Sequence, residues 1–395
     1  MLAGLAAMVS CNKNESPELD LKPSVICHQA ISGTAMNGEK IVVSASNISS
    51  STEVTVKFGK EQTLTRKGAG TISYAFEKPG SKTITVTMSP EEVEKQTFKV
   101  YIEKLDALQV LAQKLKANPK LCLTMAHRGN SSDWSIPENS LGAIEKCVAD
   151  KVDIMETDLY TTKDGVLVVS HDPSLSRETD GSGNISSKTL SKIKSLHLKD
   201  RNGNVTDYQM LTFDELLDAC KGRIYVNVDI GDRDADIPTV VTMIEKKGMT
   251  EQVLVYCNDK TKIQAAFKTN PNCNVYSPTG GSSTSLVEAG LPGNIYFTQC
   301  TWNPTTAEAS RTGKVDSGKQ PTSASAVATA VANGTIITVN AIYTLNTAQF
   351  WPKDFKREQV VDIFKTFPAT QCLHVDTPAE ARNALLAEGY ALLNN

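Results

Sequence analysis

Two histidines, three carboxylates and an arginine stand in this sequence where β-strand patterns give way to loops. CLTMAHRG ends in His127-Arg128-Gly129, and DIMETDLY carries Glu156 and Asp158. VLVVSHD ends in His171-Asp172, and RIYVNVDIG reaches Asp229. Residues two apart on a strand share a face, so Glu156 and Asp158 point the same way. Like charges so placed raise a pKa unless a cation neutralises them. With Asp229 from a neighbouring strand, the three oxygen donors suit a hard divalent ion, Ca2+ or Mg2+; zinc, which prefers nitrogen and sulfur, ranks lower. Imidazole titrates near neutrality, so His127 and His171 suit general acid–base work. Phosphodiester cleavage needs a base, an acid, and positive charge on the non-bridging oxygens, which the ion and Arg128 can supply. A Glu-x-Asp pair by itself is more often two exposed strand charges; its apolar flanks and the surrounding set favour a site. His28, His197 (in SLHLK) and His374 (in CLHVD) have no comparable setting and read as structural.

The elements that must hold these groups alternate between strand and helix. Beyond Lys104, Leu105, Leu108, Ala112 and Leu115 mark one helical face that Pro119 stops. Strand candidates follow in CLTMAHRG, DIMETDLY, RIYVNVDIG, VLVYCN, NVYSP, NIYFTQC, TIITVNA and CLHVDTP, with helical patterns at 213–220, 236–247, 259–268, 322–333, 356–366 and 378–388. Thr377 is the candidate N-cap of the last helix, with Pro378 at its first position and Gly389 past its end. Eight such units predict an α/β fold, a (β/α)8 TIM barrel over 104–395, with reacting groups at the C-terminal ends of its strands. A doubly wound sheet is the alternative, disfavoured by the lack of a glycine-rich phosphate loop. Segment 166–212 is too long for a simple connection and contains VLVVSHD, so it reads as an insertion after the second barrel strand.

The first hundred residues keep a different rhythm. KIVVSAS, EVTVKFG, QTLTRKG, TISYAFEKPG, KTITVTM and QTFKVYI alternate with turn residues, which predicts an all-β sandwich over 24–103. YAFEKPGSKTITVTM resembles the closing hairpin of bacterial immunoglobulin-like and PKD-like domains. The opening MLAGLAAMVSC is apolar but too short to span a bilayer. Its MVSC resembles the lipobox of bacterial lipoproteins, which implies a signal remnant over 1–11, an acylated Cys11 and a tether over 12–23. The expected location is then the cell envelope, lipid-anchored to a membrane; a disordered apolar terminus is the alternative. The 395 residues carry a net charge of −3, so no basic field invites nucleic acid. The nine cysteines lack CxxC spacing, and several sit in apolar runs where they read as small hydrophobes, with disulfides left open.

The chemistry-bearing blocks resemble the glycerophosphodiester phosphodiesterase family, related to the phosphatidylinositol phospholipase C-like barrels. AHRGNSSDWSIPENSLGAIEKC resembles its opening block through His127, Arg128, Gly129, Pro137, Glu138 and Asn139. METDLYTTKDGVLVVSHDPSLSRETDGSG resembles its most specific block through Glu156, Asp158, Thr162, Asp164, Gly165, His171, Asp172, Arg177, Thr179, Gly181 and Gly183. LTFDELLDAC resembles the helix before strand three, and VDTP the end of strand eight. The resemblance implies a metal on Glu156, Asp158 and Asp229, His127 as base, His171 as acid, and Glu138 and Asn139 supporting them. The substrate would be a small glycerophosphodiester, cleaved to glycerol 3-phosphate and an alcohol. This sequence departs from the pattern at Asp229-Ile230-Gly231, where the family usually has glutamate, one residue, then lysine. Arg128 could compensate, or Arg233 if its loop folds inward. Trp134 is expected either at the substrate mouth or as a surface aromatic. The rival functions are a phosphodiesterase on another diester, such as glycerophosphoinositol, a lipid or a wall polymer, and a non-catalytic binder of anionic ligands.

Overall fold

The structure, a computed structural model, describes residues 22–32, 34–36, 40–76, 80–103, 105–231, 233–278, 295–302, 322–342 and 357–393. It divides into two compact units, Met1–Glu103 and Lys104–Asn395. Cys11 lies outside the described residues.

In the first unit, eight strands run in chain order: β1 (Ser24–Cys27), β2 (Thr34–Met36), β3 (Lys40–Ser46), β4 (Glu53–Phe58), β5 (Gln62–Lys67), β6 (Gly70–Ala75), β7 (Gly80–Ser89) and β8 (Gln96–Glu103). They form two sheets, ordered β1-β3-β6 and β2-β8-β7-β4-β5. The alternation read from sequence is the cause: Ile41, Val43 and Ala45 of one sheet and Val54, Val56 and Phe58 of the other turn inward, while their neighbours face out. Both inner faces contribute to one core, with Ile84 and Ile102 fully buried in it.

The second unit continues with β9 (Leu123–Ala126), β10 (Ile154–Thr161), β11 (Leu167–Val169), β12 (Tyr225–Asp229), β13 (Val253–Tyr256), β14 (Asn274–Pro278), β15 (Ile295–Thr301), β16 (Ile336–Asn340) and β17 (Thr370–Val375). Parallel pairing runs β10-β12-β13-β14-β15-β16-β17-β9, and β9 pairs back to β10, so eight strands close a ring. Such strands are buried on both faces and therefore read as nearly unbroken apolar runs. Their outward residues, such as Val226, Val228, Val253 and Val255, pack with the surrounding helices. The helix Phe213–Cys220 shows how: Phe213, Leu216, Leu217 and Cys220 line one buried face, and Thr212 with Glu215 closes a capping box at its start. Thr377 occupies the cap position before Pro378–Ala387 but makes no side-chain cap bond, so Pro378 carries the start of that helix.

The segment after β10 is the expected insertion. β11 runs antiparallel to the end of β10, pairing Leu159 with Val169. Val168, Leu175, Ile185, Ile193, Leu196, Leu198 and Met210 bury together beneath it. Each such side chain contributes about 1.5–3 kcal/mol when buried, so the excursion that carries His171 is packed rather than loose. The cysteine question is resolved among the described residues: all eight of those cysteines are free and buried.

Candidate active site

Register sets the carboxylates side by side. Asp158 of β10 pairs with Asp229 of β12, and Glu156 with Asn227 one step below on the same inward face. Oxygens of Glu156, Asp158 and Asp229 all lie within 4.8 Å of one another. Glu156 and Asp158 are buried and Asp229 is half-buried. Burial, reinforced by the neighbouring Glu156, pushes the Asp158 carboxyl up to about 8 even with Arg233 against it. Burial likewise raises Glu156. Each group accepts a hydrogen bond. Glu156 Oε2 accepts the Arg128 backbone N–H at 2.8 Å, Asp229 Oδ1 the Gly231 N–H at 2.8 Å, and Asp158 Oδ1 the Arg233 guanidinium at 2.6 Å. Asp158 Oδ2 is buried with no hydrogen-bond partner among the described residues. A buried orphan oxygen among three crowded carboxylates fits a hard divalent ion, which would supply the missing partner and the missing charge.

His127 stands where β9 ends in a single tight turn. Arg128 and Gly129 take φ of 54° and 67° there. A Cβ on Gly129 would sit 2.8 Å from Met155 Cε and 2.9 Å from Ala143 Cβ, so glycine answers both the backbone and the space. Non-glycine Arg128 in this region is strained, and its N–H on Glu156 helps to hold it. His127 Nδ1 lies 2.8 Å from Asp376 Oδ1, which also accepts from Asn130 Nδ2 at 3.0 Å. Burial pushes Asp376 up, but the charge of His127 and its hydrogen bond outweigh it and leave the carboxyl below its ordinary value. An ionised Asp376 makes Nδ1 the donor and leaves the lone pair on His127 Nε2. Burial and then the charge of Arg128 lower the His127 pKa, keeping the ring neutral near pH 7.

His171 is held from the insertion side. Glu178 accepts the Ser170 hydroxyl at 3.2 Å and the N–H groups of His171 and Asp172 at 3.4 and 2.8 Å. Asp172 Oδ1 lies 2.6 Å from His171 Nδ1. Arg177 spreads over Asp172 (2.6 Å), Glu138 (2.8 Å) and Glu178 (2.9 Å). Burial opposes ionisation of Glu138, yet Arg128 and Arg177 draw it down to about 2. Burial, aided by Glu138, lifts Glu178 to about 8. His171, Asp172 and Glu178 also offer ligand atoms within 4.8 Å of each other, but Arg177 already fills the cationic role there.

Several expectations change. His374, read as structural and apart from the site, faces the barrel interior: its ring meets that of His127 edge-on at 5.5 Å, and Nε2 lies 3.7 Å from Glu156 Oε2. Leu373 and Val375 on either side point outward into the helical layer, so strand alternation turns His374 inward. That alternation, on the strand closing the ring beside β9, was the available signal for His374, and VDTP the signal for Asp376. Arg128 was expected to face phosphate; its guanidinium is buried, with Nη1 3.3 Å from both oxygens of Glu138. Asn139 supports that turn, donating its N–H to Arg128 O at 2.8 Å and accepting the Thr157 hydroxyl at 2.9 Å. Trp134 is half-buried beneath the Arg201 guanidinium, 4.8 Å from its ring centre. The Arg233 loop does fold inward.

Two tests follow from this geometry. Metal binding must displace the proton on Asp158, so Ca2+ or Mg2+ binding at pH 7 is expected to release about one proton. Affinity then rises with pH and levels off above about 8. Calorimetry in buffers of different ionisation heat measures this; no proton release would mean the carboxylates are already ionised. Gly129→Ala combines a left-handed backbone with overlap onto Met155 and Ala143 and should cost about 2–4 kcal/mol in urea unfolding. A loss under about 1 kcal/mol would show that the turn relaxes around the added methyl.

The glycerophosphoryl diester phosphodiesterase family model matches residues 127–272. A glycerophosphodiester phosphodiesterase of Bacillus subtilis (strain 168) is 43% identical over 79 residues, which are 20% of this chain and 26% of that protein. The chain thus spans about a quarter of the length of this curated relative. Among solved structures, a glycerophosphoryl diester phosphodiesterase from Parabacteroides distasonis ATCC 8503 superposes with a TM-score of 0.58 at 18% identity, covering 72% of this chain and 93% of that one. An Oleispira antarctica phosphodiesterase, solved in complex with the product sn-glycerol-3-phosphate, superposes with a TM-score of 0.50 at 15% identity, over 69% and 98% of the two chains. At these identities the likeness is one of fold. Residues 127–272 therefore carry the pattern of that family, on a barrel of the fold its solved neighbours share.

Proposed function

We propose that this chain is a metal-dependent phosphodiesterase that hydrolyses glycerophosphodiesters to glycerol 3-phosphate and an alcohol. The observation that carries this reading is the constellation itself. A cluster of three carboxylates, two on β10 and one at the end of β12, accompanies two histidines, each with Nδ1 on its own carboxylate. The match of residues 127–272 to the family and the glycerol phosphate bound by a fold neighbour support the substrate class. A divalent ion on Glu156, Asp158 and Asp229 would neutralise charge on the phosphoryl oxygens. His127, neutral and with Nε2 as acceptor, takes the proton of the nucleophile: either water, which gives glycerol 3-phosphate directly, or the neighbouring glycerol hydroxyl of the substrate, which gives a cyclic phosphate that water then opens to glycerol 3-phosphate. His171, oriented by Asp172, gives a proton to the departing alkoxide. Glu178 fixes the loop that aims His171, and Asp376 fixes the ring of His127.

The purified protein, given glycerophosphocholine and glycerophosphoethanolamine with Ca2+, Mg2+ or chelator, should release glycerol 3-phosphate only when metal is present. His127→Ala and His171→Ala should each lower kcat by at least about a hundredfold without unfolding the protein. Near-normal turnover in either variant would remove that histidine from the chemistry. Silence from a folded, metal-binding wild type would move the assignment to a different diester.

The proposal extends to location. Acylation of Cys11 would anchor the enzyme in the cell envelope, with residues 24–103 as an immunoglobulin-like spacer between anchor and barrel. A single acyl chain binds membranes only marginally, so a stable anchor requires the multiple acylation of a lipoprotein. Wild-type protein should stay with membranes through a carbonate wash and Cys11→Ala protein should not. Equal partition of the two would rule the anchor out.

A further inference from the structure

The arginines around the site are engaged differently. Arg128 faces Glu138, Arg177 is spread over Asp172, Glu138 and Glu178, and Arg201 donates to the Ser131 carbonyl at 3.0 Å. Arg233 is the arginine whose guanidinium rests on a member of the carboxylate cluster, Nη2 on Asp158 Oδ1. Its Nε is buried with no hydrogen-bond partner among the described residues, while 15% of the side chain as a whole stays open to solvent.

The loop that delivers it is built for the purpose. A Cβ at position 231 would lie 2.9 Å from the Tyr256 ring and 3.2 Å from Asp229 Oδ1, so the chain passes here with no side chain. The Lys262 ammonium binds the carbonyls of Ile230 and Gly231. Asp234 Oδ1 then accepts the Thr161 N–H at 3.1 Å, tying the loop back to the end of β10. Held at these points, Arg233 passes 5.7 Å from the Tyr160 ring centre and reaches Asp158.

Charge gives the arrangement its meaning. Three ionised carboxylates outweigh a divalent ion by one charge, and such a centre would repel a phosphodiester monoanion. Arg233 cancels that excess at the carboxylate where it arises. A guanidinium also keeps further N–H groups in a planar fork suited to phosphoryl oxygens. We infer that Arg233 binds the non-bridging oxygens of the substrate's phosphoryl group beside the ion. It takes a role that Gly231, which has no side chain, cannot fill. The inference rests on the phosphodiesterase reading for the identity of the anion.

The test uses the full chain as wild type, Arg233→Ala and Arg233→Lys. Calorimetry measures Ca2+ or Mg2+ binding, then binding of glycerol 3-phosphate and of inorganic phosphate to the metal-loaded protein; KM and kcat are measured on glycerophosphocholine. Arg233→Ala should weaken both phosphate ligands and raise KM by about ten- to a hundredfold, a larger fold-change than any in metal affinity. Arg233→Lys should recover part of the loss, and its folding guards against an alanine variant that fails to fold. Lost metal affinity with unchanged phosphate affinity would make Arg233 a counter-ion of Asp158 and overturn the inference. Active wild type with an equally active Arg233→Ala would overturn it while leaving the phosphodiesterase reading intact. Arg233-dependent phosphate binding without turnover by wild type would support the grip and reject the reading.

Discussion

Three carboxylates forced together at the mouth of a closed barrel are the constraint around which this unit is organised. Glu156 and Asp158 are buried on one strand, with Asp229 paired beside Asp158 on the next. Unneutralised, they repel and resist ionisation, as the raised Asp158 and Glu156 carboxyls record. Among the described residues, an oxygen of Asp158 is left without a hydrogen-bond partner. Even the strained turn at Arg128 contributes, because its left-handed backbone aims an N–H at Glu156.

The two histidines are held by separate pieces of structure, and this separation gives them different characters. His127 is braced across the ring closure by Asp376, just beyond β17, in a buried setting that keeps the ring neutral. His171 depends on the insertion, whose own apolar cluster and buried Glu178 fix the loop at residues 170–172. Arg177 and Glu138 join the two supports, since Glu138 meets both Arg177 of the insertion and Arg128 of the first strand end. In the proposed cleavage these settings would suit His127 to the role of base and His171 to that of acid.

Much of this was legible in sequence because the information is local. Parallel strands buried on both faces leave apolar runs, and the helices between them leave spaced apolar faces, so the strand-and-helix order can be read directly. Glu156 and Asp158 share a face by period alone. Less legible was anything set by ring closure or loop direction. His374 comes beside Glu156 only once β17 pairs with β9, and CLHVD alone gives no hint of that neighbour. Arg233 follows a strand end by four residues and reaches the site because Lys262, Asp234 and Tyr256 steer the loop, contacts between segments distant in sequence.

The cost of holding the carboxylates together bears on folding as well as on chemistry. A carboxyl whose folded pKa lies above its unfolded value stabilises the fold fully below the unfolded value, and that contribution is lost as pH rises through the folded pKa. For Asp158 and Glu178, both lifted to about 8, the window runs from about 4 to about 8. A barrel without ion therefore carries its electrostatic strain near neutrality. The two sites differ in remedy. Glu178 has both oxygens engaged, Oε1 by Arg177 and the Asp172 N–H and Oε2 by the Ser170 hydroxyl and the His171 N–H, whereas Arg233 meets Oδ1 of Asp158 and Oδ2 has no hydrogen-bond partner among the described residues. Any cation that satisfies the other oxygen binds the folded barrel in preference to the unfolded chain, so ion affinity and fold stability are coupled through that one carboxylate.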